Sequence, residues 1–266
     1  MEMRYFASMK TAYITILGSG TSQGVPVIGC RCSVCSSNDK LDKRLRASIL
    51  IESAEATVVV DTGPDFRQQM LREKVTKMDA VLITHCHKDH IAGMDDVRSF
   101  NFLQKKAMPI YASPEDQKLI KTEFSYAFAE KKYPGVPSLD LIDMDENLLK
   151  IKDLNITPIR VMHRYLPVFA FRIGNFAYIT DANYISPESF DALKGIDILV
   201  IDSVRKEKHI SHFSLGEAIE VARKLEVKKT YFTHISHLMG KAADVNAELP
   251  DGMLLAWDGL KIKITY

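Results

Sequence analysis

His85-Cys86-His87-Lys88-Asp89-His90 is the stretch on which the reading of this sequence turns. Successive side chains of an extended segment alternate sides, so His85 and His87 share a face, and the turn after them lets Asp89 and His90 address a second point nearby. Imidazole and carboxylate together suit Zn²⁺, Mn²⁺, Fe or Ni²⁺, and an ion so held lowers the pKa of a bound water toward ~7. The hexapeptide therefore points to a hydrolytic centre with ligands for two metal ions.

The block follows an apolar run at residues 80–84, and the same arrangement recurs along the chain. Residues 57–60 stop at Asp61, 156–162 at His163, 176–180 at Asp181, 196–201 at Asp202 and 229–233 at His234. Short apolar, β-branched runs bounded by turn residues read as buried strands, and each of these ends in a side chain able to bind a metal. Gly174-Asn175, between residues 168–173 and 176–180, is a hairpin signal. Ser214-Leu215-Gly216-Glu217 is a capping box, and Leu215, Ala218, Ile219, Ala222 and Leu225 continue it as one apolar helical face. Further helices are expected over residues 65–73 and from near Ile91 past Phe102. Strands mixed with helices, without a Pro/Gly/Ser linker, predict a single α/β domain over residues 10–266. Residues 113–155 have weaker periodicity and read equally as an insertion roofing the site or as a peripheral packing element.

Composition narrows the function classes. The 266 residues are 46% hydrophobic and 26% charged, which excludes a disordered or fibrous chain. Lys plus Arg number 35 against 34 for Asp plus Glu, so no global field draws the chain to nucleic acid or an anionic membrane. Apolar runs such as residues 80–83 and 198–201 are strand-length, far short of the roughly 20 residues that cross a bilayer, and no membrane partner is expected. Residues 1–9 carry Glu2 and Arg4 and lack an apolar signal-peptide core; they are expected to be a disordered leader on a protein of the reducing cytoplasm. In that setting Cys30, Cys32 and Cys35 imply a metal more readily than disulfides. Cys86, between two histidines of an extended segment, is expected to point away from the metals as a buried thiol.

The His-x-His-x-Asp-His block, with a later strand-end His, a strand-end Asp and a last His, resembles the metallo-β-lactamase superfamily. The match runs over nearly the whole length. It implies an αββα sandwich of the metallo-β-lactamase type, two mixed sheets packed face to face with helices outside. It further implies that His85, His87 and His163 bind one divalent metal, that Asp89, His90 and His234 bind a second, that Asp181 bridges them and that Asp61 supports the metal loop. A β-lactamase proper is disfavoured, because those enzymes usually lack the bridging Asp.

The segment from Gly18 to Pro26, followed by Gly29-Cys30-Arg31-Cys32-Ser33-Val34-Cys35, looks like the amino-terminal signature of the phosphoribosyl 1,2-cyclic phosphate phosphodiesterase family of the carbon–phosphorus lyase pathway. Its glycines permit a tight turn with backbone N–H groups facing an anion. The resemblance implies His237 as fourth ligand of a structural zinc held by Cys30, Cys32 and Cys35. His212-Phe213-Ser214 matches a His-x-Ser/Thr element in which the His gives a proton to the leaving oxygen. A helix starting at the capping Ser214 favours a phosphate there and makes His212 a readier donor. His209 has no such match and is expected to face solvent, while Arg44, Arg46, Arg67 and Arg164 are the candidates for holding a second phosphate.

The expected activity is that of a di-metal phosphodiesterase on a small cyclic or nucleotide-like phosphate ester, with His212, Asp89 and Asp181 as catalytic residues. A tRNA 3′-end-processing endonuclease is the alternative, but it normally carries a protruding basic arm that this sequence lacks, so nucleic acid is disfavoured as a partner. A lactonase or thioesterase on the same metals leaves His212 with less to do. A non-enzymatic metal-binding module is opposed by intact ligand types at every matching position. A homodimer is compatible with all of these readings.

Overall fold

Among the described residues, fourteen strands in two sheets carry the histidine- and aspartate-bearing ends to one edge. The structure is a computed structural model that describes residues 10–266; the expected leader, residues 1–9, lies outside the described residues. The strands are β1 (Thr11–Gly18), β2 (Ser48–Glu52), β3 (Thr57–Val60), β4 (Ala80–Leu82), β5 (Met108–Ala112), β6 (Leu139–Asp143), β7 (Leu149–Ile151), β8 (Leu154–His163), β9 (Leu166–Ile173), β10 (Phe176–Ile179), β11 (Ile198–Asp202), β12 (Lys229–Thr233), β13 (Met253–Leu255) and β14 (Lys261–Thr265). One sheet has the order β14-β1-β2-β3-β4-β5-β6 and the other β13-β12-β11-β10-β9-β8-β7.

Both sheets are mixed in the same way. β14, β1, β2 and β3 pair antiparallel, whereas β3 to β6 pair parallel. In the second sheet β7 to β10 pair antiparallel and β10 to β13 parallel. Open parallel sheets bind ligands beyond the carboxyl ends of their strands. That is where the chain leaves β3 at Asp61, β4 toward His85, β10 toward Asp181, β11 at Asp202 and β12 at His234.

The parallel strands are buried on both faces, as their near-continuous apolar runs require. In β3, Val58 and Val60 face the core between the sheets with Ile14, Ile16, Phe169, Phe171 and Tyr178, while Val59 faces an outer layer with Phe66, Met70 and Phe100. That outer layer is built by α1 (Phe66–Glu73), α2 (Lys88–Ile91), α3 (Arg98–Gln104), α4 (Pro114–Glu123) and α5 (Ser125–Phe128). On the second sheet α6 (Pro187–Leu193), α7 (Leu215–Lys224) and α8 (Ala242–Glu248) cover Leu199, Ile201 and Phe232. The result is the expected αββα sandwich.

Two local expectations change. The helix expected from Ile91 past Phe102 is broken: α2 ends at Ile91, a single tight turn spans Met94–Val97, and α3 follows. Gly93 lies against the Gly63 carbonyl, where a Cβ would come within 2.1 Å, and its N–H donates to Thr62 O at 2.8 Å, so the break docks the segment that follows His85–His90 onto the end of β3. Residues 113–155 form the crossover between the sheets, supplying edge strands β6 and β7 and burying Ile120, Phe124, Met144 and Ile151.

Candidate metal centre and active site

Three strand ends turn into the site through strained backbone. Asp61, Asp181 and His234 have φ of 65°, 51° and 57°. A non-glycine residue in that region costs ~1–3 kcal/mol, and such strain concentrates where function needs a side chain aimed against the run of its strand.

Aimed in this way, the side chains form two adjoining groups. The donor atoms of His85, His87 and His163 lie within 4.8 Å of one another, as do those of Asp89, His90, Asp181 and His234. Asp181 Oδ2 stands 3.1 Å from His90 Nε2, its Oδ1 3.2 Å from His234 Nε2, and it also falls within 4.8 Å of the donor atom of His163. Asp89 Oδ2 is 3.2 Å from His90 Nε2 and 3.6 Å from His234 Nε2.

An outer set of hydrogen bonds selects which ring nitrogen each histidine presents. His90 Nδ1 donates to Asp61 Oδ2 at 2.7 Å, and Asp61 also accepts from the N–H and the hydroxyl of Thr84, each at 2.8 Å. His163 Nδ1 donates to Ser211 O at 2.7 Å. Both rings thereby direct Nε2 inward, as metal-ligating histidines do. The Nε2 atoms of His90 and His234 are buried with no hydrogen-bond partner, an arrangement that costs free energy unless a cation completes it. This donor set fits divalent metal ions.

Charge in the pocket agrees. Burial alone lowers the His90 imidazole, yet Asp181, Asp61 and Asp89 outweigh it and hold the group well above its ordinary value. His234 is likewise lifted against burial, chiefly by Asp181, to about 9. At His85, burial wins and the imidazole is held well below the usual range. The carboxylates thus gather positive charge where cations would bind.

Beside these groups stands His212, whose Nδ1 donates to Asp202 Oδ2 at 3.0 Å and lies 4.0 Å from Asp181 Oδ1. Asp202 Oδ2 also accepts the Ala182 N–H at 3.0 Å, and its Oδ1 faces His234 Nδ1 at 3.6 Å. In the sequence Asp202 stands only as a strand end, with no expected part in the site. The signal was available, since Asp202 closes an apolar strand as Asp61 and Asp181 do.

Three expectations are corrected by the geometry. The start of α7 offers no open anion site, because Ser214 N–H and Oγ–H both go to the Glu217 carboxylate, at 3.0 and 2.6 Å, and Leu215 N–H goes to Arg205 O. The glycine-rich loop does not face an anion either: Gly20 N–H is bound to Leu45 O and Thr21 N–H to Ile235 O. Its glycines serve packing, since a Cβ on Gly18 would lie 1.9 Å from Arg46 O. His209, expected to face solvent, is half-buried with its ring centroid 5.0 Å from that of His212. Cys86 is partly buried and donates to Asp116 O at 3.3 Å.

A separate cluster joins the two ends of the domain. The sulfurs of Cys30, Cys32 and Cys35 lie 3.3, 3.5 and 3.5 Å from His237 Nδ1. A tetrahedron with ~2.0–2.3 Å metal bonds has edges of about 3.3–3.8 Å, so the spacing fits zinc. Val27 N–H donates to Cys35 Sγ and Cys35 N–H to Cys32 Sγ, bonds that favour thiolate. The Cys35 N–H, together with His237, lowers the Cys32 thiol to about 6, whereas burial pushes Cys35 up to about 11.

Comparison with known proteins shows the family. Residues 56–235 match the family model of the beta-lactamase superfamily domain. The crystal structure of a new diphosphatase from the PhnP family shares 39% sequence identity, covers 97% of this chain and 98% of its own, and superposes with a TM-score of 0.91. The chain belongs to the metallo-β-lactamase superfamily, in its PhnP family. As a member it is a metal-dependent hydrolase. Zn²⁺-bound PqqB from Methylobacterium extorquens, at 20% identity and a TM-score of 0.78 over 94% of this chain and 99% of its own, shares the fold. An octanoyltransferase of Porphyromonas gingivalis is 36% identical over 249 residues, which cover 92% of this chain and 50% of that protein. The chain thus spans about half the length of that curated relative.

Proposed function

We propose that this chain is a phosphodiesterase acting on a small cyclic or nucleotide-like phosphate ester. The observation that carries the reading is His212, anchored by a buried carboxylate beside both ligand groups and positioned as a proton donor. An alkoxide leaves a phosphate poorly unless it is protonated, whereas a β-lactam or thioester has less need of such a donor. The 39% identity to a diphosphatase adds support.

His85, His87 and His163 would hold one ion and Asp89, His90 and His234 the other, with Asp181 shared. Divalent metal ions bound there supply Lewis acidity toward phosphoryl oxygens and acidify a water. Asp202 accepts the Nδ1 proton of His212, which leaves Nε2 to carry the proton that the leaving oxygen takes. Asp61 keeps His90 in one tautomer, and Ser211 does the same for His163. Cys30, Cys32, Cys35 and His237 would hold a structural zinc that ties the amino-terminal loop to the segment after His234, an arrangement suited to the cytoplasm. A near-neutral chain suits a small ester better than tRNA.

The test is hydrolysis of bis-p-nitrophenyl phosphate by the metal-loaded protein, abolished by a chelator and restored by Mn²⁺ or Zn²⁺. Turnover of octanoyl thioesters or lactones without any diester hydrolysis would overturn the reading.

A further inference from the structure

His234 is aimed differently from His90 and His163. Those two are fixed by a short hydrogen bond at Nδ1, to Asp61 and to Ser211 O, each at 2.7 Å. His234 Nδ1 is buried without a hydrogen-bond partner, and Asp202 Oδ1, at 3.6 Å, stands beyond hydrogen-bond reach. The direction of this imidazole therefore depends on its backbone, which sits at φ 57°.

The peptide that follows His234 is clamped by the first sheet. Ile235 N–H donates to Ser19 O at 2.9 Å, and Ile235 O accepts the Thr21 N–H at 3.0 Å, so the segment leaving β1 holds the segment leaving β12. The clamp is anchored in turn by Asp258, a nearly buried carboxylate on the turn before β14 and 239 residues from Ser19 in sequence. Its Oδ1 accepts the N–H and the hydroxyl of Ser19, at 2.9 and 2.8 Å, and its Oδ2 accepts the Leu45 N–H at 2.8 Å. Leu45 O accepts the Gly20 N–H at 2.7 Å. A Cβ on Gly20 would lie 2.9 Å from the carbonyl oxygens of Arg44 and Leu45, so the two segments meet at backbone distance.

Arg44 closes the network from the other side. Its buried guanidinium donates to Ser19 Oγ at 2.9 Å and to Ala256 O, and the Ala256 N–H reaches Phe232 O at 2.8 Å, two residues before His234. Arg44 is thus turned into the interior and not toward a substrate phosphate.

We propose that Asp258 is a positioning residue for the metal centre: by fixing Ser19 and Leu45 it sets the backbone that presents His234 to its metal. The inference goes beyond the phosphodiesterase reading, since it holds for any ester hydrolysed at this centre, and it rests only on His234 as a metal ligand. Asp258 acts through Ser19 and Ile235, with no bond to substrate or metal assigned to it.

The test titrates the metal-free wild type and its Asp258→Ala and Asp258→Asn variants with Mn²⁺ and follows the EPR signal of the free ion. Mn²⁺ suits carboxylate and imidazole and is a poor match for the thiolates of Cys30, Cys32 and Cys35. Asp258→Ala should weaken one of the two bound ions roughly ten- to a hundredfold and leave the other unchanged. Asp258→Asn, whose amide oxygen still accepts from one side of the clamp, should fall between, and it decides alone if the alanine variant does not fold. Because the defect is one of occupancy, excess Mn²⁺ should restore most of the hydrolysis of bis-p-nitrophenyl phosphate. Asp79→Asn alters a buried carboxylate away from the ligands and supplies the comparison: it should melt earlier while both ions bind as in wild type. Wild-type Mn²⁺ affinities in the Asp258 variants, or lost activity that excess metal does not restore, would overturn the role of Asp258 and leave the metal assignment standing. Wild type that binds fewer than two divalent ions besides the thiolate-held zinc would overturn that assignment and this inference together.

Discussion

Asp202 Oδ2 lies 3.0 Å from Nδ1 of His212, and its other oxygen looks toward His234 Nδ1 at 3.6 Å. One buried carboxylate at the end of β11 therefore stands behind both the proposed proton donor and a proposed metal ligand. The parallel pairing of β10 with β11 makes this contact, because it sets Asp202 against the Ala182 N–H on the neighbouring strand exit.

Replacing His212 by Ala should leave metal content unchanged and lower turnover of an alkyl phosphodiester roughly 10²–10⁴-fold, with a far smaller loss on a nitrophenyl ester, whose phenolate leaves unaided. Asp202→Asn should weaken the same step roughly ten- to a hundredfold by loosening the ring that Asp202 orients. Rates on the paired substrates decide the matter. Equal losses on both would assign His212 to phosphate binding instead.

Much of this site was readable in the sequence because its signals are local. His85 to His90 lie within one turn of a strand exit, and alternation alone assigns His85 and His87 to a common side. Asp202 carries no such local cluster, because its partners, Ala182 and His212, lie in other segments and meet it only through sheet order. The glycines at 18 and 20 resemble an anion loop in sequence, since only the folded chain reveals that residues 44–46 press against them. Edge strands β6 and β7 escaped notice for a different reason: half-exposed strands such as Leu139–Asp143 lack the continuous apolar run that marks buried ones.

Metal binding at pH 7 should release protons. The neighbouring carboxylates raise both His90 and His234, His234 to about 9, so each holds its proton more tightly than a free imidazole and must lose it to ligate. Apparent affinity should therefore climb as pH rises toward about 9 and fall in acid. Calorimetric titration with Zn²⁺ or Mn²⁺ in two buffers of different ionisation enthalpy measures the release directly, and identical heats in both would contradict it. Asp181→Ala should lose metal and hydrolysis together.

Cys32→Ser should remove one zinc equivalent and lower the melting temperature. Because His237 is three residues beyond His234, the loss should also reduce activity without touching His212. Elemental analysis and thiol titration provide the readout; three freely titratable thiols and no zinc at this cluster in wild type would defeat the assignment.

Stability far from the metals should depend on Asp79. This buried carboxylate accepts the Thr57 N–H at 3.0 Å and Lys152 Nζ at 2.7 Å, with Lys77 at 3.5 Å. Burial alone would raise its pKa, but the Lys152 hydrogen bond, the Thr57 N–H and the nearby lysine charges bring it below the ordinary value. A depressed carboxylate stabilises the fold above its unfolded pKa of ~3.9, and the contribution disappears as pH falls through the lower folded value. The lysines are about half exposed, so solvent screening discounts their charges. Asp79→Asn, whose amide oxygen still accepts the Thr57 N–H, should thus cost about 1 kcal/mol at pH 7. Urea unfolding of both proteins at pH 7 and in acid should show the gap narrowing once wild-type Asp79 is protonated. A gap that stays constant with pH would mean that packing, and not the ionised carboxylate, holds β3 to β7 and β8 through this residue.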